Sequence, residues 1–296
     1  MRAKSPHTKA IGMLVVVTLI WGSGFIATEY AIDSQIDFAW IMALRFLLGA
    51  MVIAAAFLKK IKATKKKAFV HGVGAGVLLF AAFYTQTIGQ ANTTVANAAF
   101  ITASNVVMIP FIVWLLTARR PPFKVFLLSL LTMAGVVLLS IQPGSGLSLG
   151  RGDALVLLCA FLFAAHISYL SLLCREDEPI SVAFWQLLSA ALSGLILLVI
   201  QRPASTAAQW QAAAWPIFYL GLFSTGLCYL LQTYAQTFLG ASETGIILSL
   251  EGLFGTMFSL LLGMDVLRWN MVLGGMMITF SVMCMEIKGK RDIQEP

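Results

Sequence analysis

Apolar runs of about twenty residues recur along the chain, and each gives way to a short cluster of charges, prolines or glycines. The first, "AIGMLVVVTLIWGSGFIATEYAI" (10–32), sets the scale for the rest. A helix of about 20 apolar residues crosses a hydrocarbon core of about 30 Å. Breaking the runs at their polar interruptions predicts ten such helices: 10–32, 38–58, 69–90, 95–117, 123–141, 152–173, 180–200, 214–237, 242–263 and 269–287. The longest interruptions, "KKIKATKKK" (59–67), "QPGSGLSLGRG" (142–152) and "QRPASTAAQWQAA" (201–213), leave no room for a soluble domain. Arg2, Lys4 and Lys9 before the first run imitate a secretory signal, but the run continues beyond an ordinary signal core, so an uncleaved first helix is expected.

Composition agrees with a membrane protein. Hydrophobic residues make up 59% of the 296 and charged residues 11%, against about 25% charged in an average soluble domain. The net charge of +7 follows from where the basic residues stand and implies no nucleic-acid partner. With the N-terminus inside, ten crossings place Arg2, Lys4, Lys9, the six lysines of 59–67, Arg119, Arg120, Lys124, Arg175, Lys288, Lys290 and Arg291 on the cytoplasmic side. Arg151, Arg202 and Arg268 fall outside, and Arg45 stays within a span. Such an excess of inside charge predicts an N-in, C-in topology in the inner cell membrane. Cys159, Cys174, Cys228 and Cys284 lack CxxC spacing and sequence-adjacent histidines, so they are expected to be small core residues, with no metal or cofactor.

The break at 142–151 divides the chain into a first half (1–141) and a second half (152–296), five predicted spans in each. An odd number per half means that the halves insert with opposite orientation. "QTIGQ" (86–90) returns as "QTYAQ" (232–236), and the same offset carries Asn105 onto Glu251 and Asn97 onto Glu243. Inverted repeats of this kind place a substrate site near the bilayer midplane, between the halves.

Polar residues deep in apolar spans need a reason, because a charge at a helix centre costs about 2.5–3.5 kcal/mol on insertion scales. Glu251 stands near the middle of the ninth span, sharing a face with Thr244 and followed by Gly252 and Gly255. Two roles suit it: a structural hydrogen bond, or binding of substrate or proton. Asn105 is its counterpart in the fourth span. Gln86 with Gln90, and Gln232 with Gln236, form matched polar stripes on the third and eighth helices, compatible with a hydrated path or with interhelical hydrogen bonding, and the deeper members, Gln86 and Gln232, are the expected contacts. Glu29 and Arg45 are placed to pair across the first outer connection, as an ion pair or a gate. His166 reads either as a core histidine or as a proton relay. Trp21, Tyr84, Tyr229 and Trp185 are cavity-lining or packing aromatics, His71 marks a span end, and Pro110 predicts a kink in the fourth span. No P-loop, dinucleotide-binding glycine motif, HExxH or GxSxG occurs, so an ATP-driven pump or a hydrolytic or redox enzyme is not expected.

The stretches "LIWGSGFIATEYA" (19–31), "ALRFLLGA" (43–50), "GDALVLLCAFLFAAH" (152–166) and "SETGIILSLEGLFG" (242–255) resemble the EamA branch of the drug/metabolite transporter superfamily. The resemblance covers the whole chain. It implies an all-α polytopic bundle of two inverted five-helix repeats around a central cavity. It also implies transport of amino acids, other small metabolites or toxic organic compounds, commonly outward and without an ATPase. By position it assigns family roles to Trp21 and Gly22, Arg45 and Phe46, and Glu251. Three positions depart from the family pattern: Glu29 stands where a lysine is frequent, and Gly252 where a proline follows the glutamate. The glutamate that commonly follows the fourth helix is missing near Ala118 and Arg119, with Asp265 an approximate substitute after the ninth. The expectation is a secondary-active exporter working by alternating access on small metabolites such as amino acids, with the proton as candidate coupling ion. Efflux of organic cations is the alternative, and a non-transporting scaffold or sensor the reading from another class.

Overall fold

The computed structural model describes residues 5–93, 95–140, 150–263 and 266–288. The side chains of 95–97, 100, 139, 140, 259 and 286–288 fall outside them, as do Asp265 and nearly all of the 142–151 break, so the expectations for Asn97 and Asp265 rest on residues that are not described. All regular structure among the described residues is helical. Five helices are long: α1 (Pro6–Asp33), α2 (Phe38–Lys62, kinked at Phe57), α3 (Lys66–Gln90), α7 (Arg151–Leu173) and α8 (Pro179–Gln201). A sixth rod runs over 207–235 as α9 (Ala207–Tyr219), a π-helical segment (Leu220–Leu227) and α10 (Cys228–Ala235). These six are long and apolar enough to cross a membrane. The remaining helices are shorter or interrupted: α4 (Val95–Ala103) with α5 (Asn105–Thr117), α6 (Phe123–Ser140), α11 (Ala241–Leu248) with α12 (Leu250–Leu261), and α13 (Trp269–Lys288).

The helix ends follow local chemistry. Ser5 caps α1 ahead of Pro6, the Asp37 carboxylate accepts from Ala39 N at 2.8 Å, and Glu178 accepts from Ser181 N at 2.7 Å ahead of a helix opened by Pro179. Lys59, Lys60 and Lys62 in the last turn of α2 complement the negative end of its dipole. The largest difference in a boundary is at the expected eighth span. Residues 207–213 are helical, because Thr206 and Gln209 form a reciprocal capping box that starts α9 a full two turns before the apolar run.

Packing is two-fold in its pattern. α1 lies against α11 and α12, and α7 lies correspondingly against α4 and α5; α1 meets α10 as α7 meets α3; α2 crosses α8 and α6 crosses α13, each with its own counterpart. Close crossings use glycine. A Cβ on Gly22 would stand 2.7 Å from Gly255 N, so α1 and α12 meet backbone to backbone there. The surface carries many large apolar side chains, such as Leu115, Phe123 and Val199, while an otherwise apolar interior holds polar ones such as Arg45, Gln186, Thr225 and Gln232. That arrangement suits a chain whose outer face meets lipid.

Two helices are interrupted at matching points. Ser104 (φ −62°, ψ −13°) separates α4 from α5, and Ser249 (φ −62°, ψ −14°) separates α11 from α12. Each serine hydroxyl donates to the carbonyl three residues back, Ile101 O and Ile246 O, at 2.6 Å. Such local bonds compete with the regular ladder and bend helices. The interruption at Ser104 lies six residues before Pro110, which stands inside α5, and its match at Ser249 has no proline, so it is not the kink expected from Pro110.

Candidate functional site

The two interruptions deliver the deepest polar side chains to one place. Asn105 opens α5 and Glu251 lies in the first turn of α12, each 8% exposed. Both line a central cavity. Neither side chain makes a hydrogen bond or an ion pair among the described residues. For a carboxylate within a bundle that is an expensive arrangement unless something else is meant to occupy the space beside it. The structural-hydrogen-bond role considered for Glu251 thus has no partner to support it.

The cavity walls repeat across the halves. Gln86 on α3 and Gln232 on α10, Phe83 and Tyr229, and Thr102 and Leu248 are related by the same offset as Asn105 and Glu251, and all eight residues line the cavity. A second offset, of 142 residues, relates the first helix of each half. It appears in the hydrogen bonds: Gln90 Nε2 donates to Phe25 O at 3.3 Å, and Gln236 Nε2 donates to Ile167 O at 3.0 Å. The same offset pairs Trp21 with Phe163, and these four residues complete the two-fold wall. Gly24 and Ser224 are the remaining lining positions.

The outer glutamines of the two stripes are thus structural ties, and the inner ones belong to the cavity. Gln90 Nε2 also meets Glu29 Oε2 at 2.8 Å, and Gln236 Nε2 meets Ser171 Oγ at 2.7 Å. Gln86 donates only to Thr102 Oγ1, at 3.3 Å. Gln232 donates to Gln236 Oε1 at 3.1 Å while its own Oε1 stays without a partner. The Tyr229 hydroxyl is also buried without a partner.

Trp21 is held at the cavity edge by the π-helical segment. Its indole N–H donates to Ser224 O at 2.8 Å, and its ring packs 5.3 Å from that of Tyr229. Pro216 and the glycines at 221 and 226 explain why regular α-helix gives way here, and π-helical turns characteristically re-aim side chains at functional sites. Ser224 and Thr225 project from this segment.

Several expectations are corrected. Arg45 does not pair with Glu29. Its Nε donates to Thr225 Oγ1 at 3.1 Å, and its guanidinium lies 4.1 Å from the centroid of Phe83, a cation–π contact that satisfies the charge while the residue is 1% exposed. Glu29 is instead the acceptor of Gln90. Tyr84 is off the cavity, stacked on Phe80 at 5.7 Å; Phe83 takes the lining position because it lies three residues before Gln86 and shares its face. His166 stands behind the wall, its ring 5.9 Å from that of Tyr229 and its Nε2 2.9 Å from Gln186 Oε1, with Gln186 donating in turn to Thr233. Trp185 bonds Thr64 at the end of the bundle. The lining residues Phe25, Phe83, Thr102, Phe163, Ile167, Ser224 and Leu248 were not among the sequence candidates; two of them, Phe83 and Phe163, are the repeat partners of the candidates Tyr229 and Trp21.

One end of the bundle is closed by ionic contacts. His7 Nε2 meets Glu243 Oε1 at 2.9 Å, joining the start of α1 to the start of α11, and Lys60 Nζ meets Glu178 Oε1 at 3.1 Å. At the opposite end the described contacts are hydrogen bonds and not ion pairs: Gln209 Nε2 donates to Gln35 O at 2.7 Å, and Thr93 Oγ1 donates to the Asp153 carboxylate at 2.6 Å.

Comparison with known proteins agrees with this architecture. The EamA-like transporter family matches residues 8–141 and, a second time, residues 150–287. A protein of Archaeoglobus fulgidus described as an uncharacterized transporter is 30% identical over 280 residues, covering 93% of this chain and 85% of its own. A crystal structure of 16% identity superposes with a TM-score of 0.78, covering 96% of this chain and 98% of that one, which is a likeness of fold.

Proposed function

Because the chain belongs to the EamA-like transporter family, we propose that its cavity is the substrate site of a secondary-active exporter of small amine-bearing metabolites, amino acids first. The observation that carries the reading is Glu251, a buried carboxylate without a protein partner on the wall of a cavity. It is the only formally charged residue among the lining, so it suits an ammonium group. Asn105, Gln86 and Gln232 offer amide donors for the carboxylate of a zwitterion, and Trp21, Phe83 and Tyr229 supply ring faces.

A second reading, efflux of organic cations, is favoured by the aromatic wall and by the absence of a cationic side chain from the lining. The two separate on carboxylate dependence: an amino acid and its decarboxylated amine compete unequally in the first case and alike in the second. A scaffold or sensor has no use for an unpartnered carboxylate beside an open cavity.

In this proposal ten helices cross the inner membrane with both termini cytoplasmic, and the two halves alternate access by rocking about the cavity. The ionic end is then cytoplasmic, consistent with the lysines of 59–67 lying there. With Glu251 the only lining acid, substrate and proton compete for it, which couples export to proton entry. In proteoliposomes, Glu251→Gln should lower substrate flux at least tenfold and remove its response to a pH gradient, with an unchanged elution profile in detergent. Undiminished, pH-responsive flux would refute the assignment.

A further inference from the structure

At the ionic end, three residues that sequence reading left apart come together. His71 lies in the second turn of α3, in the first half of the chain; Cys174 follows the last turn of α7, and Asp177 lies three residues further, in the second half. Asp177 N donates to Cys174 O at 3.0 Å, closing a tight turn over Cys174, Arg175, Glu176 and Asp177. Residues at the two ends of such a turn present their side chains to the same side. His71 reaches them because α3 approaches α8 closely: at Gly72 a Cβ would stand 2.6 Å from Trp185 Cβ. His71 Nδ1 lies 2.6 Å from Asp177 Oδ2, and the three ligand atoms lie within 4.8 Å of one another. No other triad of His, Cys, Asp or Glu side chains this close occurs among the described residues.

We propose that His71, Cys174 and Asp177 bind a divalent cation of zinc type. Thiolate, imidazole and carboxylate together suit a borderline-soft ion and not Mg²⁺ or Ca²⁺, which take oxygen ligands. Bonds of about 2.0–2.3 Å to a tetrahedral zinc separate its ligand atoms by roughly 3.3–3.8 Å. Small side-chain rotations bring the triad to that spacing, with the thiol proton released to solvent and the His71–Asp177 hydrogen bond replaced by two metal bonds. Three protein ligands leave the fourth position to water. The ligands come from both halves, so the bound ion ties α3 to the α7–α8 turn. This inference is independent of the substrate assigned to the cavity.

The test uses the full-length, tag-free protein in detergent, stripped with a chelator. Zn²⁺ is titrated against a chromogenic competitor, and Co²⁺ is added separately to report sulfur ligation. The expected result is one ion per chain, with a thiolate-to-Co²⁺ charge-transfer band. Cys174→Ser should abolish the band and weaken zinc binding at least a hundredfold, and His71→Asn and Asp177→Asn should weaken it at least tenfold. Cys159→Ser and Cys228→Ser, buried elsewhere, should change neither. The wild-type Co²⁺ spectrum decides the matter even where a variant folds poorly. Absence of stoichiometric binding, or a band that persists in Cys174→Ser, would overturn the site and leave His71 and Asp177 as an ion pair only.

Discussion

Glutamine and asparagine residues in a membrane bundle divide by what holds them. Gln236 spends its amide on Ile167 O and Ser171 Oγ, whereas Asn105 spends its own on nothing among the described residues. The contrast makes a paired prediction. Gln236→Leu removes the donor from two buried acceptors and should destabilise the chain by about 1–3 kcal/mol, measured as a lower unfolding temperature in detergent. Asn105→Ala should leave that temperature nearly unchanged and raise the KM for transport about tenfold, or about 1.4 kcal/mol of lost binding. A large stability loss in Asn105→Ala would show it to be structural. Sequence alone located Asn105, Glu251, Gln86 and Gln232, because polar atoms deep in apolar runs are conspicuous by their cost. Depth in the span already favoured Gln86 and Gln232 over Gln90 and Gln236; what the sequence did not show is that the outer pair is tied to Phe25 O and Ile167 O, since only the neighbouring helix decides which amide finds a carbonyl. Apolar lining residues such as Phe163 carried no signal of their own. They became legible only through the offset that relates them to Trp21.

At the scale of elements, hydropathy located the long helices well, because length and apolar content are what a bilayer requires. It was weaker where geometry departs from the regular helix. The matched interruptions at Ser104 and Ser249 and the π-helical turns at Leu220–Leu227 arise from hydroxyl bonds, proline and close glycine contacts that leave mean hydropathy unchanged. Those irregular stretches flank or line the cavity. Close approach at Gly22 belongs to the same class of feature. A methyl there would stand 2.8 Å from Phe254 Cβ and 2.7 Å from Gly255 N, so it must force α1 from α12, whereas a methyl at Gly12 on the same helix meets nothing within 4 Å. Gly22→Ala should cost about 1–3 kcal/mol of stability, and Gly12→Ala should be neutral or stabilising by up to about 1 kcal/mol. Thermal unfolding of the two variants beside the parent chain checks this. Equal behaviour would mean that α1 and α12 are less closely packed at Gly22.

The whole molecule is two related halves meeting at a cavity, and that much followed from a repeated glutamine pair and a midpoint break. What the repeat does not predict is where the halves differ. Asn105 faces Glu251 across the pseudo-symmetry, so the cavity carries one charge and not two. The ends differ too, with ion pairs at one and hydrogen bonds without an ion pair at the other, among the described residues. The proposed alternating access would open each end in turn, and the His7–Glu243 contact would then act as a brake on one of them, because it joins the first helix of one half to the broken helix of the other. That contact is half at the surface, with His7 side chain 32% exposed and Glu243 4% exposed, so it can part without stranding both groups in the interior. Cysteines at these two positions, His7→Cys with Glu243→Cys in a chain whose native cysteines are replaced by alanine, should form a disulfide under mild oxidation. Flux in proteoliposomes should then fall at least tenfold and return on reduction, while either single substitution responds to neither treatment. If flux persists with the bond formed, this end does not open during the cycle, and the rocking of one half against the other must be abandoned in favour of movement confined to the opposite end.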